Sequence, residues 1–528
     1  MTFLPIVQRE LRAAARRRST YRGRMAFALV TSLIAAGLIL VENPAAAQGK
    51  GSTIFAVLTF LAFGYCLLAG IRHAADALSE EKREGTLGLL FLTDLKPYDV
   101  VAGKLASIGI QTFQGLFALF PVLATGLVLG GITLGEFWRM TAVLTNTLFV
   151  SLAGGLWISS RSRTAHRALT GTIALITVIL LVPVLARPVL LPSLFGWTGG
   201  FLSYFSPATA ATLAWDAAYH SHPAAFWSAL LWGHLLGWSL LLFASAALPR
   251  SWQDQPAASS AAAEPAAVES AEVESRRQRR TRLLDINPIL WLASRHERQR
   301  VLVGLFATTC AVAGVTMVLL NRWLGGYTFG IATMLNLALT LVLKVWVAWQ
   351  ASATLAEARR TGAVELILAT PLKLEEIIRG HWQALQRFFL WPLVAALIVR
   401  TIPLLDMLLY EPSTQNRFFL VSTPTMTVFS LATLVLDLIA LAWVGMWMGL
   451  SQAKPVQAFA RTFCLVTIIP TVLFCLPNFL FDLVWIQWSR SKLEHEFRRA
   501  AADRFAPRLA APHSSLRVPP QLAAPPVG

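Results

Sequence analysis

The sequence is short of charge. Only 14% of its 528 residues are Asp, Glu, Lys or Arg, against 55% hydrophobic. Ordinary soluble domains carry roughly 25% charged residues, so this chain cannot cover a water-facing globule. Acidic residues are scarcest, 28 against 45 Lys and Arg, a formal charge of +17. Such a surplus is the usual footprint of nucleic-acid binding, but its placement along the chain, described below, argues for no nucleic acid. Cysteine is also rare. Cys66, Cys310, Cys464 and Cys475 all fall in apolar runs, with no paired framework and no C-x-x-C. That excludes a disulfide scaffold and a zinc site and leaves small buried hydrophobes. Alternating strands of about ten residues are missing, which excludes a membrane β-barrel. H-E-x-x-H and G-x-S-x-G are missing too, so no catalytic set is expected.

What the chain has instead is apolar windows of about 20 residues, the length that crosses a bilayer as helix. Backbone groups in lipid must bond within their own segment, which makes helix the expected form. The fold class is therefore all-α, a polytopic transmembrane helical bundle. Spans are predicted near 25–42, 53–71, 106–130, 138–160, 168–186 and 224–247, and then near 301–320, 328–350, 384–403, 419–449 and 462–488. The arginine-rich start followed by "NPAAAQ" resembles a signal peptide, but its basic leader is long and a similar segment recurs at Arg295–Leu320, so Met25–Val41 is read as a retained span. Residues 1–247 and 286–500 form two transmembrane halves. Between them 248–285 is Ala-, Ser-, Pro- and Glu-rich and reads as a disordered cytoplasmic linker, and 501–528 as a disordered tail.

Cytoplasmic loops should hold the excess of Lys and Arg. With the N-terminus inside they do, and the predicted outer loops contribute only Lys50, Arg187, Arg322 and Arg417. The basic tail fits only if Arg461–Trp488 turns back at Pro470, Pro477 and Asn478, giving twelve passes rather than eleven.

Two charged inserts break the apolar pattern: "EEKREGTLGLLFLTDLKPYDVVAGK" from Glu80 and "EARRTGAVELILATPLKLEEIIRGH" from Glu357. A shift of 277 positions lays Glu80 on Glu357, Arg83 on Arg360, Gly85 on Gly362, Leu89 on Leu366, Thr93 on Thr370 and Gly103 on Gly380 without a gap. Pro5-Ile6-Val7 and Pro288-Ile289-Leu290 likewise open the two halves. Both units start on the same side, so the repeat is parallel, two similar six-span-like halves about an axis along the membrane normal. Each insert falls between the second and third spans. Glu80 with Arg83, and Glu357 with Arg360, are spaced to meet on one helix face. Thr93 and Thr370 are expected to cap the next helices, and Pro371 to stand in the first turn. Two copies at matching places favour a docking surface over a solvated connection.

The order Glu-x-x-Arg-x-Gly-Thr-Leu, Leu-Leu, Thr-Pro-Leu, Gly-Lys resembles the cytoplasmic coupling region of type-2 ATP-binding-cassette (ABC) exporter permeases. The first copy keeps Gly85-Thr86-Leu87, Pro97 and Gly103-Lys104, with Asp94 where the family often has proline; the second keeps Glu365, Thr370-Pro371-Leu372 and Gly380, with Ala363 and His381 as departures. The resemblance implies an exporter permease with both halves fused in one chain, in a bacterial plasma (inner) membrane, with separate ABC ATPase subunits as partners and an unidentified transported substrate. It implies Glu80, Glu81, Arg83, Gly85, Thr86, Glu357, Arg360, Gly362 and Glu365 as coupling residues. It also implies no cofactor in this chain, ATP and magnesium belonging to the partner. In agreement, no G-x-x-x-x-G-K-[ST] phosphate loop occurs, and Gly49-Lys50 and Gly103-Lys104 lack its spacing. A non-transporting membrane scaffold derived from such a permease is the alternative.

Lys344 and Asp437 stand inside predicted spans, where charges face a partner or a cavity, and are expected to approach each other as an interhelical lock. Asp482 is placed near a span end. Asp216, His220 and His222 have a spacing that could serve a metal, but in an Ala-rich outer loop they read as hydrated polar groups, and no metal is expected.

Overall fold

A computed structural model describes residues 4–16, 18–41, 50–92, 95–189, 198–251, 287–293, 329–409, 417–452, 455–472 and 478–502, with Thr281, Leu284, Gly304 and Thr308 singly. The predicted 301–320 span, nearly all of the linker and tail, Thr93, Asp94, Cys310 and Cys475 lie outside the described residues.

Among the described residues every regular element is helical. The first half opens with an entry helix, Leu4–Ala15, followed by a first-span helix, Arg18–Val41. The second span, Lys50–Ala69, passes through a π-turn at Gly70–Ala74 into a short helix, Ala77–Arg83. A second short helix, Thr86–Leu92, leads to the third span, which begins at Pro97 and continues in shorter pieces to Val128. Leu134–Arg161 and Ala165–Val189 are the fourth and fifth spans, and Pro223–Ser251 is the sixth. In the second half, entry residues Pro288–Ala293 are followed by a second span, Phe329–Thr361, a short helix, Ala363–Leu368, a third span, Leu374–Leu409, and a fourth, Arg417–Ser451. Pro455–Val472 and the last helix, Asn478–Ala502, replace the single predicted segment 462–488. Seven of the described helices are long and apolar enough to cross a membrane, four in the first half and three in the second.

The core of each half is the crossing of its second and fourth spans. In the first half Ser151 of the fourth span inserts its hydroxyl into the second, accepting from the Gly70 N–H at 3.0 Å and donating to the Leu67 carbonyl at 2.8 Å. A side chain that replaces ladder bonds in this way is the physical cause of a π-turn. Close approach then depends on small residues, since lipid offers no hydrophobic drive for helices to associate. A Cβ built on Gly155 would lie 2.7 Å from the Ala74 methyl, and one on Gly445 would lie 2.6 Å from the Ala351 methyl. Ala74 and Ala351 are equivalent positions of the repeat, so the two halves make the same helix crossing with the same small residues. One step further, Ser159 accepts from the N–H groups of Leu78 and Ser79, both at 3.0 Å. Gly449 abuts the equivalent backbone at Ser352 and Ala356.

The halves meet along the fifth span of the first and the second span of the second. Ile71, Leu169, Ile173 and Ile176 share one buried cluster with Trp346 and Trp349, and Trp349 donates its indole N–H to Thr170 Oγ1 at 3.1 Å. The entry residues pack on the third span in both halves, burying Val7 in one and Ile289 and Leu290 in the other.

Candidate functional site

The two charged inserts fold alike. Each chain turn is made by a glycine in the left-handed region, Gly85 at φ 71° and Gly362 at φ 81°. Any L side chain resists that conformation by about 1–2 kcal/mol, which explains the glycine in both copies. A short apolar helix follows each turn. On it Leu87 and the equivalent Val364 are buried at 1% and 3% exposure, while Leu89 and Leu366 stand out at 64% and 73%. Each insert therefore has an apolar anchor facing the bundle and an apolar knob facing away from it, at the same position of the repeat.

The residues around these turns divide between holding and presenting. Glu81 is turned inward: its carboxylate lies 2.7 Å from Lys104 Nζ, which also reaches Glu10 Oε1 at 3.0 Å, and Arg9 closes the group at 3.4 Å from Glu81. Burial opposes ionisation of Glu10, but Lys104 and Arg9 outweigh it and hold its carboxyl below the ordinary value. This group ties the entry helix, the insert and the third span together. Thr86 donates its hydroxyl to the Glu81 carbonyl at 3.3 Å. Arg83 forks onto Asp76, with both bonds at 2.9 Å. Glu80 adds electrostatic attraction to Arg83 rather than the fork, and so does Glu357 of the second half, so the two inserts approach each other. In the second copy Arg360 is exposed, Glu357 is half-buried and both Glu365 carboxylate oxygens are shielded from solvent.

Two further residues escaped sequence reasoning. Lys82 donates to the Ser160 carbonyl, and the equivalent Arg359 donates to the Leu450 carbonyl at 2.7 Å. Each thus grips the last turn of its own fourth span, where carbonyls lack intrahelical partners and a cation is favoured. The signal was in the repeat, as a basic residue directly before Arg83 and Arg360. The expected caps are corrected. Thr370 donates back to the Ile367 carbonyl at 2.5 Å, closing the short helix. The third spans start at Pro97 and Leu374, and the N–H groups of Lys96 and Lys373 are taken by Asp99 at 3.2 Å and Glu376 at 3.0 Å. A carboxylate three residues inside the helix reaches back better than a threonine that is still ending the previous one.

Lys344 Nζ lies 2.6 Å from Asp437 Oδ2, joining the second and fourth spans of the second half. Asp482 does not reach an interface. It is fully buried and faces Asp437, because the last helix runs on from Asn478 to Ala502 and carries this position into the bundle. At the other end of the molecule Asp216 is engaged by Arg139 and by the Thr133 hydroxyl at 2.7 Å, and its N–H by Glu136 at 3.2 Å. Burial works against its ionisation, but Thr133 and Arg139 prevail and keep its carboxyl low. Both oxygens are thereby used, and among the described residues no group of His, Cys, Asp and Glu is arranged to hold a metal.

No curated protein matches the chain. Residues 10–252, from within the entry helix through the first insert to the end of the sixth span, match the family model described as ABC-2 family transporter protein. This half of the chain is thus similar to ABC-2 family transporter proteins, and the chain carries the long apolar helices of a multi-pass membrane protein.

Proposed function

We propose that both halves work as permease units of one exporter, driven by separate nucleotide-binding subunits that dock beneath the inserts Ser79–Thr93 and Ala356–Thr370. The observation that carries this reading is the pair of equivalent exposed leucines, Leu89 and Leu366, each presented by a short helix behind a left-handed glycine. An apolar side chain this exposed, on a rigid and charged cytoplasmic turn, is the anchor type that fills a partner's pocket. Behind each knob, Lys82 and Arg359 fasten the turn to the fourth span, so motion imposed on the insert passes directly to the second and fourth spans. The N-terminus is cytoplasmic, the membrane is the bacterial plasma membrane, and ATP with magnesium is bound and hydrolysed on the partner. Transport then follows from rocking of the halves about the Thr170–Trp349 contact.

The test is to isolate the full chain in mild detergent and assay the preparation for a copurifying Walker-type ATPase. In Leu89→Glu/Leu366→Glu the bound ATPase is expected to fall at least tenfold, and Glu80→Ala/Glu357→Ala to weaken it less. An ATPase that stays bound to the leucine double variant moves the docking site elsewhere. No ATPase under several detergents favours the scaffold reading.

A further inference from the structure

The second half carries an acidic residue that its salt bridge does not account for. Lys344 on the second span and Asp437 on the fourth form a complete pair at 2.6 Å, with side chains 14% and 8% exposed. Asp482 on the last helix is 0% exposed, and among the described residues no donor reaches either of its oxygens. Its polar neighbour at hydrogen-bonding range is the Asp437 carboxylate, itself an acceptor. Arg400 on the third span gives its hydrogen bonds to the Ser430 carbonyl and to the Thr340 hydroxyl at 3.1 Å, and its charge is felt by Asp437 through space rather than by Asp482. The charged groups that act on Asp482 are Asp437 and Lys344. Neither Glu365 on the short helix that packs against the last helix nor Arg461 within Pro455–Val472 is among them.

Two facing carboxylates in one dry site cannot both ionise cheaply, and here Lys344 bonds to Asp437 and Arg400 also acts on Asp437, while Asp482 is left without a donor among the described residues. A proton on the second carboxyl removes the repulsion and turns the facing acceptors into a donor and an acceptor. We propose that Asp437 and Asp482 together bind one proton inside the membrane, the Asp482 hydroxyl donating to Asp437 while Lys344 balances the charge that remains. Uptake of the proton removes one negative charge from the facing carboxylates and draws the last helix onto the fourth span. Loss of the proton leaves two like charges pushing those helices apart. The titration belongs to the pair rather than to either carboxyl alone.

Infrared difference spectra of the full chain in lipid nanodiscs, recorded between neutral and alkaline buffer, test this directly. The expected result is a protonated-carboxyl band present at neutral pH, lost in alkaline buffer and absent from Asp482→Asn. A folded wild type with no such band at neutral pH overturns the proposal, and so does a band that survives in Asp482→Asn. Should that variant fail to fold, the wild type is treated with a hydrophobic carbodiimide, which reacts with protonated carboxyls in apolar surroundings, and the adduct is mapped by mass spectrometry. An adduct on Asp482 or Asp437 at neutral pH, unaffected by sodium, supports the proton site. No adduct at either residue, or protection by sodium, overturns it, the latter in favour of a monovalent cation between the carboxylates.

Discussion

The two halves share a frame and place their charges at opposite depths. In the first half a buried ion pair is at the insert, Glu81 with Lys104; at the equivalent positions the second half has Ala358 and His381, the latter using Nδ1 on the Ile377 carbonyl at 3.0 Å. In the second half the buried pair is within the membrane, Lys344 with Asp437. The repeat register puts Leu67 opposite Lys344, and the register that lays Gly155 on Gly445 puts Thr147 opposite Asp437. What is identical is the helix crossing and the glycine turn; what has diverged is where each unit is locked by charge. The first half is fastened at the insert, so force applied there is carried by the entry helix and third span together. The second half leaves its insert held by apolar contact and Arg359, and keeps its strongest lock halfway across the bilayer.

The largest effect that would break this comparison is at Lys104. Lys104→Ala leaves the buried Glu81 with only the exposed Arg9 at 3.4 Å, a loss approaching the roughly 3–5 kcal/mol of a broken desolvated pair, whereas His381→Ala at the equivalent place removes one backbone hydrogen bond, worth about 1 kcal/mol. Thermal unfolding of the full chain in one detergent should rank the two variants in that order. Equal losses would mean that the cytoplasmic edge is not held differently in the two halves.

A smaller and symmetric effect is expected at the shared crossing. Gly155→Val and Gly445→Val each drive a side chain into an alanine methyl of the second span, and overpacking of this kind costs about 1–3 kcal/mol. Similar losses in the two variants would sharpen the structural repeat. A loss confined to one half would show that the crossing bears load only there.

Much of this frame was legible in the sequence. Seven of the predicted spans are helices long and apolar enough to cross a membrane, and the repeat followed from an ungapped register in which Gly85 and Gly362 align. The approach of Lys344 to Asp437 was readable because charge in a span needs a partner. The roles of the inserted charges were less legible, because spacing on a helix names possible partners without choosing among them. Glu80 and Arg83 have the right spacing, yet Asp76 wins the guanidinium because the π-turn at Gly70–Ala74 reorients the helix beyond it. Thr370 looked like a cap because it directly precedes Pro371, yet its hydroxyl closes the short helix before it and the third span starts only at Leu374. The reading of Arg461–Trp488 as turning back agrees with separate helices up to Val472 and from Asn478 to Ala502, but Asp482 was expected near a span end and is instead buried.

The smallest expected effect concerns acid. The carboxyl of Glu10 titrates below its ordinary value of 4.5 in the folded chain, because Lys104 and Arg9 outweigh its burial. A carboxyl lowered on folding stabilises the fold above its unfolded value, and that contribution is lost as pH falls through the lower folded value. Stability of the first half's cytoplasmic edge should therefore be flat above pH 4.5 and decline below it. Entry residues Pro288–Ala293 of the second half contain no acidic group and give no such decline. The comparison is made on one protein by following unfolding against pH in wild type and Glu10→Gln. The variant should start less stable at neutral pH and lose less on acidification, so that the two curves converge below pH 4.5. Curves that stay parallel would remove Glu10 from the lock and leave Glu81 and Lys104 to carry it alone.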